Sequence, residues 1–105
     1  MKINVSKENL LEGLLKVGKG ITGKSNNMAL SGVCIKAEGN TITFRGTDID
    51  ISIETSSEAE VLIDGSLLVD YKMLLEIVRR LPNDLVIIDN EEGGEVTINC
   101  KKSSF

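Results

Sequence analysis

Histidine and tryptophan are both absent from this chain. Without histidine, the side chain that most often serves as general base, metal ligand or triad member near neutral pH is missing, so an enzyme starts without its usual parts. Aromatics make up only 3% of the residues, one tyrosine and two phenylalanines. The core must therefore be aliphatic, and no row of rings is available for stacking on single-stranded nucleic acid. No apolar run approaches the roughly 18 residues of a membrane span. The opening Met-Lys-Ile-Asn lacks the apolar stretch of a secretory signal. Two cysteines, Cys34 and Cys100, suit a reducing cytoplasm better than a disulfide scaffold. They fall in strand-like segments away from any helix end rich in bases, so packing is their expected role.

What the chain does contain is a repeat. Val5–Val17 (Val-Ser-Lys-Glu-Asn-Leu-Leu-Glu-Gly-Leu-Leu-Lys-Val) aligns without a gap on Val69–Leu81 (Val-Asp-Tyr-Lys-Met-Leu-Leu-Glu-Ile-Val-Arg-Arg-Leu), 64 residues later. Each copy opens on an aliphatic residue and a capping residue, Ser6 or Asp70. Each carries Leu-Leu-Glu in the same register, then a base, Lys16 or Arg80. A second echo at an offset of 53 matches Val33–Lys36 and Thr41–Phe44 with Val86–Asp89 and Gly94–Ile98. A repeated strand–helix–strand–strand unit predicts one pseudo-symmetric α+β domain of two like halves, with two helices packed on one face of antiparallel sheet.

Periodicity sets the elements. Lys2–Val5 alternates as a strand, and Ser6 caps a helix over Lys7–Gly18 with Leu10, Leu11, Leu14, Leu15 and Val17 on one face. Strands follow at Ser31–Ala37, Thr41–Arg45, Ile49–Glu54 and Glu60–Ile63, punctuated by Glu38-Gly39-Asn40, Gly46-Thr47-Asp48 and Asp64-Gly65. The second half repeats the scheme with a strand at Ser66–Val69, a helix over Tyr71–Leu81 stopped by Pro82, and a hairpin of Leu85–Asp89 and Glu95–Lys101. The first repeat spans about 1–64 and the second about 65–105, so by its own repeat the domain lacks roughly its last two strands. An unpaired sheet edge would invite pairing with another chain.

The formal charge of −4 hides a division. Residues 1–24 hold five bases and two acids, and residues 70–81 hold three bases and two acids. The remainder holds four bases and twelve acids. The two helical segments are thus the basic part of an acidic protein, an arrangement that suits a polyanion held at one face. Lys16 and Lys19 in the first half, with Lys72, Arg79 and Arg80 in the second, are the candidate phosphate contacts. The competing account is an ordinary solvated helix face. The equivalence of Lys16 and Arg80 in the two halves favours the phosphate account.

Two other motifs depend on their context. Gly18–Ser25 (Gly-Lys-Gly-Ile-Thr-Gly-Lys-Ser) fits the phosphate-loop pattern, and Leu85–Asp89 resembles the apolar strand ending in an acid that would hold magnesium. A working phosphate loop needs a strand before it and a helix after it. Here helical period precedes the glycines, so a small nucleotide-binding protein stays only as an alternative. Asp48 and Asp50 alternate onto one strand face beside Ser52 and Glu54, which reads as solvated surface rather than a metal site. No metal, cofactor or catalytic residue is expected. A self-associating module that binds no DNA is the third reading.

The opening Met-Lys-Ile-Asn-Val with Leu10-Leu11, the segment Phe44-Arg45-Gly46-Thr47-Asp48-Ile49 and the ending Arg79-Arg80-Leu81-Pro82 together resemble the N-terminal domain of the bacterial DNA polymerase III beta subunit, the sliding clamp. The resemblance covers essentially all 105 residues. It implies the clamp fold, in a non-catalytic processivity factor of DNA replication. Clamp chains of three such domains pair into a homodimeric ring around duplex DNA, and helices line the hole. It also implies that Lys24, in the loop after the first helix, and Arg79 touch DNA, and that Lys72 and the strand around Phe105 lie near the subunit contact. The family's loop after the first helix usually contains prolines, where this chain reads Ser25–Leu30. Replicative polymerase and clamp loader would bind through domains absent here. On this reading the chain is a clamp fragment.

Overall fold

The computed structural model describes residues 1–20, 32–47, 52–90, 95–100 and 103–104. The elements follow in order: β1 (Lys2–Ser6), α1 (Lys7–Val17), a 3-10 turn (Gly18–Gly20), β2 (Gly32–Glu38), β3 (Thr41–Thr47), β4 (Ser52–Glu58), β5 (Glu60–Ile63), β6 (Gly65–Asp70), α2 (Tyr71–Arg80), β7 (Leu85–Asn90), β8 (Val96–Cys100) and β9 (Ser103–Ser104). α1 starts where Ser6 turns extended and its hydroxyl accepts from the Asn9 backbone N–H at 3.1 Å. The carboxylate of Asp70 does the same for Met73 at 3.0 Å, so the expected caps hold both helix starts. α2 stops at Arg80, one residue earlier than expected, because Leu81 is already extended ahead of Pro82.

The strands form two antiparallel sheets. Their orders are β5-β1-β7-β8-β9 and β4-β3-β2-β6. Each half lends its first strand to the other half's hairpin. β1 lies beside β7 (Ile3↔Ile88, Val5↔Val86), and β6 lies beside β2 (Val33↔Val69, Ile35↔Leu67). β4, the fourth strand of the first half, begins at Ser52 within the described residues and runs to Glu58, past its expected end. After Ala59 the chain continues as β5 in the other sheet, so this run bridges the two. β9, which strand patterning missed, pairs with the end of β8 (Cys100↔Ser103). Two residues are too short to show a period.

Alternation delivers one core. Ile3 and Val5, Val33 and Ile35, Ile42 and Phe44, Val86 and Ile88, and Ile98 and Cys100 all point inward from their strands. Leu10, Leu14 and Val17 from α1 meet them, as do Leu74, Val78 and Leu81, their equivalents in the second repeat. No polar or charged residue is buried among the described residues. Gly13 explains how α1 comes so close. A Cβ there would collide with the ring of Phe44, which is fully buried and has nowhere to retreat. At the β2–β3 turn Gly39 takes a φ of 62°, the left-handed conformation that glycine adopts without strain.

Gly13→Ala should therefore destabilise the fold by about 1–3 kcal/mol through overpacking, although alanine favours an ordinary helix by about 1 kcal/mol. Thermal unfolding of Gly13→Ala, Phe44→Leu and the double variant checks this. The double variant should be more stable than the two single costs added together.

Candidate nucleic-acid interface

The two helices lie antiparallel, and each covers the other's open end. Lys7, the first residue of α1, donates through Nζ to the carbonyls of Leu81 at 2.6 Å and Arg79 at 3.3 Å. Tyr71, the first residue of α2, donates through its hydroxyl to the Leu14 carbonyl at 2.8 Å. Lys7 and Tyr71 are equivalent positions in the repeat. The carbonyls of a helix's last turn carry the negative end of its dipole, so an ammonium or phenol hydroxyl is well placed there. The Leu14 carbonyl also accepts from the Gly18 backbone N–H, so the Tyr71 hydroxyl is its second donor. Glycine at position 18 leaves room for this contact, since a Cβ there would strike the Tyr71 hydroxyl. The backbone N–H of Lys7 also donates to the Asp84 carbonyl at 3.0 Å, tying the start of α1 to the segment after α2.

This antiparallel arrangement divides the candidate bases between two ends. Lys16, in the last turn of α1, and Lys19, just beyond it, share one end with Lys72 at the start of α2. Arg79 and Arg80 occupy the other end, where Lys7 holds the last carbonyls. At 1.5 Å per residue the ends are about 15 Å apart. All five candidates are exposed. Lys16 is not wholly free, because its ammonium meets Glu12 at 2.9 Å across one helical turn. That hydrogen bond and charge hold the Glu12 carboxyl below the usual carboxylate range. Both groups are more than half exposed, so the pair is worth little to stability and opens readily to a competing anion. Lys24 and Phe105 lie outside the described residues, and their expected roles rest on the resemblance alone.

The other motifs lose ground. α1 stands in front of Gly18, where a phosphate loop needs a strand, and the rest of that motif, Ile21–Ser25, lies outside the described residues. Asp48 and Asp50 lie outside them too. Among the described residues no group of three or more His, Cys, Asp or Glu side chains is placed to hold a metal. No helix among them is long and apolar enough to cross a membrane. Sequence reasoning missed Lys7 and Tyr71 as partners of the opposite helix. The repeat held the signal, since it sets both at the same first helical position.

Residues 1–105 match the model of the family described as DNA polymerase III beta subunit, N-terminal domain. The chain is 33% identical over 105 residues to a beta sliding clamp homolog, GriR, of Streptomyces muensis, and spans 28% of that protein. It is 30% identical over 113 residues to the beta sliding clamp of Bacillus subtilis, spanning 30% of its length. Among solved structures, a DNA polymerase III beta subunit of Eubacterium rectale matches with a TM-score of 0.94 and 32% identity, over 100% of this chain and 28% of the other. The Bacillus subtilis sliding clamp matches at 0.93 and 27%, over 100% and 30%. The chain thus spans under a third of the length of these relatives.

Two substitutions test the helix pair. Lys7→Met should cost about 1–2 kcal/mol, the range for losing charged hydrogen bonds at a helix end, and Lys7→Arg should cost less. Burial raises the Tyr71 phenol above its ordinary value, against a smaller opposing effect of Arg79. The fold therefore favours the neutral phenol. Its contribution is whole below the ordinary tyrosine value of about 10 and is lost as pH climbs through the raised value. Tyr71→Phe should remove that alkaline step while costing about 0.5–1.5 kcal/mol at neutral pH. Denaturant unfolding of both proteins from neutral to strongly alkaline pH reads the difference.

Proposed function

The chain belongs to the family of DNA polymerase III beta subunit N-terminal domains, and from that premise we propose that it serves as one domain of a clamp that encircles duplex DNA. Members of this family are non-catalytic accessory factors of a DNA polymerase. The observation that carries the reading is the exposed basic set on the helix pair of a chain whose net charge is −4. Lys16 and Lys19 at one end, with Arg79 and Arg80 at the other, meet phosphates about one helix length apart. Lys24 adds a contact from the loop after α1. No aromatic platform accompanies them, and contacts to phosphate alone hold DNA without reading its sequence. Acidic residues elsewhere in the chain discourage binding in other orientations.

The same proposal extends to the longer protein. A second clamp subunit would close the ring near Lys72 and the strand around Phe105. Replicative polymerase and clamp loader would engage parts of the clamp that this chain does not span. The assembly works in the cytoplasm, and no cofactor enters the function.

Fluorescence anisotropy with labelled duplexes of unrelated sequence tests the DNA contact. Binding should be weak, equal across sequences, and steeply weakened by salt. The combined Lys16→Gln, Arg79→Gln and Arg80→Gln variant should flatten the plot of log affinity against log salt by about 0.9 for each phosphate it no longer neutralises. Sequence preference, or affinity and salt slope unchanged in the variant, would overturn the reading.

A further inference from the structure

Between the two basic ends of the helix pair lies one acid from each helix. Glu12 is the middle residue of α1, and Glu76 lies at the middle of α2. They are equivalent positions, 64 residues apart in the repeat. Each stands two residues past a buried leucine, Leu10 or Leu74, and so roughly 200° around the helix from it, on the outward face. Both are exposed. Because the helices run antiparallel, each glutamate is about 7 Å along the axis from either basic end. Glu8 has a ready account, since a carboxylate in a first turn answers the helix dipole. Glu12 and Glu76 sit where that dipole offers a carboxylate nothing.

We propose that Glu12 and Glu76 form a repulsive waist in the DNA contact, which confines phosphates to the basic ends and keeps the contact weak enough to slide. This role rests on the DNA-holding function above and sets its affinity. Lys16 reaches a phosphate by leaving Glu12, 2.9 Å away. That exposed pair parts easily, so parting is not the main cost. The cost is the carboxylate that stays behind on the same face, within a Debye length of the phosphate that replaced it. Glu76 holds the same place, four residues before Arg80. Two such charges at the middle of the pair oppose a phosphate that would settle there, and they shorten the stay of one bound at either end. A glutamate that only steadied the base four residues on would support its helix and leave DNA affinity alone.

Fluorescence anisotropy with a labelled duplex in low salt compares the unaltered chain, the Glu12→Gln, Glu76→Gln double variant, and a control with the same change in net charge, Glu38→Gln with Glu54→Gln. The control acids lie together on the face of the second sheet turned away from the core. Glu38 pairs there with Lys36 at 3.7 Å, so the control too releases a base from its acid. The waist variant should bind DNA about three- to tenfold more tightly than the unaltered chain, and its affinity should fall more steeply with salt. The control should gain less than about twofold. Circular dichroism and thermal unfolding confirm that both variants are folded, as expected for exchanges at exposed positions. Equal gains in the two variants, or none in the waist variant, would overturn the repulsive waist and leave the DNA-holding function standing. No binding by any of the three proteins overturns that function, and the waist with it.

Discussion

The rest of the structure depends on two antiparallel helices that satisfy each other's ends. A short helix in water is marginal, and its last carbonyls must find donors if they are to be covered. Lys7 supplies donors to the end of α2, and from the equivalent repeat position Tyr71 adds a second donor to the Leu14 carbonyl, which already accepts from the Gly18 N–H. The ammonium answers the negative end of α2 by charge, and the phenol answers the Leu14 carbonyl by hydrogen bond. Gly18 clears the space for one contact, and Gly13 lets Phe44 of β3 fill the space beneath α1. Through these few atoms the helices acquire a fixed orientation, and with it the positions of their bases.

The sheets make that arrangement cooperative. Because β1 pairs with β7 and β6 with β2, neither half can complete a sheet by itself. The crossing of the β4–β5 run ties the sheets once more. Every buried aliphatic side chain among the described residues then belongs to a single cluster shared by both halves. Loss of packing anywhere is felt in both helices.

Bases at helix ends have two accounts, and here they coincide. Lys16, Arg79 and Arg80 sit in last turns, where a cation favours the helix itself by a few tenths to about 1 kcal/mol. That benefit alone would place bases at any helix end. It does not require that both helices present their bases to solvent on an otherwise acidic chain. The charge division and the family supply that part. Glu12 tempers Lys16 with a weak exposed pair, which a phosphate can displace at little cost.

The sequence by itself determined the elements. Ser6 and Asp70 marked the helix starts, Pro82 the end of α2, and Gly39 the β2–β3 turn, because caps and turns are chosen by residues within a few positions of each other. Helical period also marked Leu10, Leu14 and Val17 as buried, although it set Leu15 on the same face and that side chain is exposed. The repeat alone made Lys16 and Arg80 equivalents. Only the tertiary structure decided that there are two sheets, that the halves exchange their first strands, and that Lys7 and Tyr71 cap the opposite helices. It also put Arg79 and Arg80 at one end of the helix pair and Lys16, Lys19 and Lys72 at the other. Those choices join residues as distant as Ile3 and Ile88. Local pattern shows which face a strand buries, whereas its neighbour is chosen by competition among all the strands for one shared core.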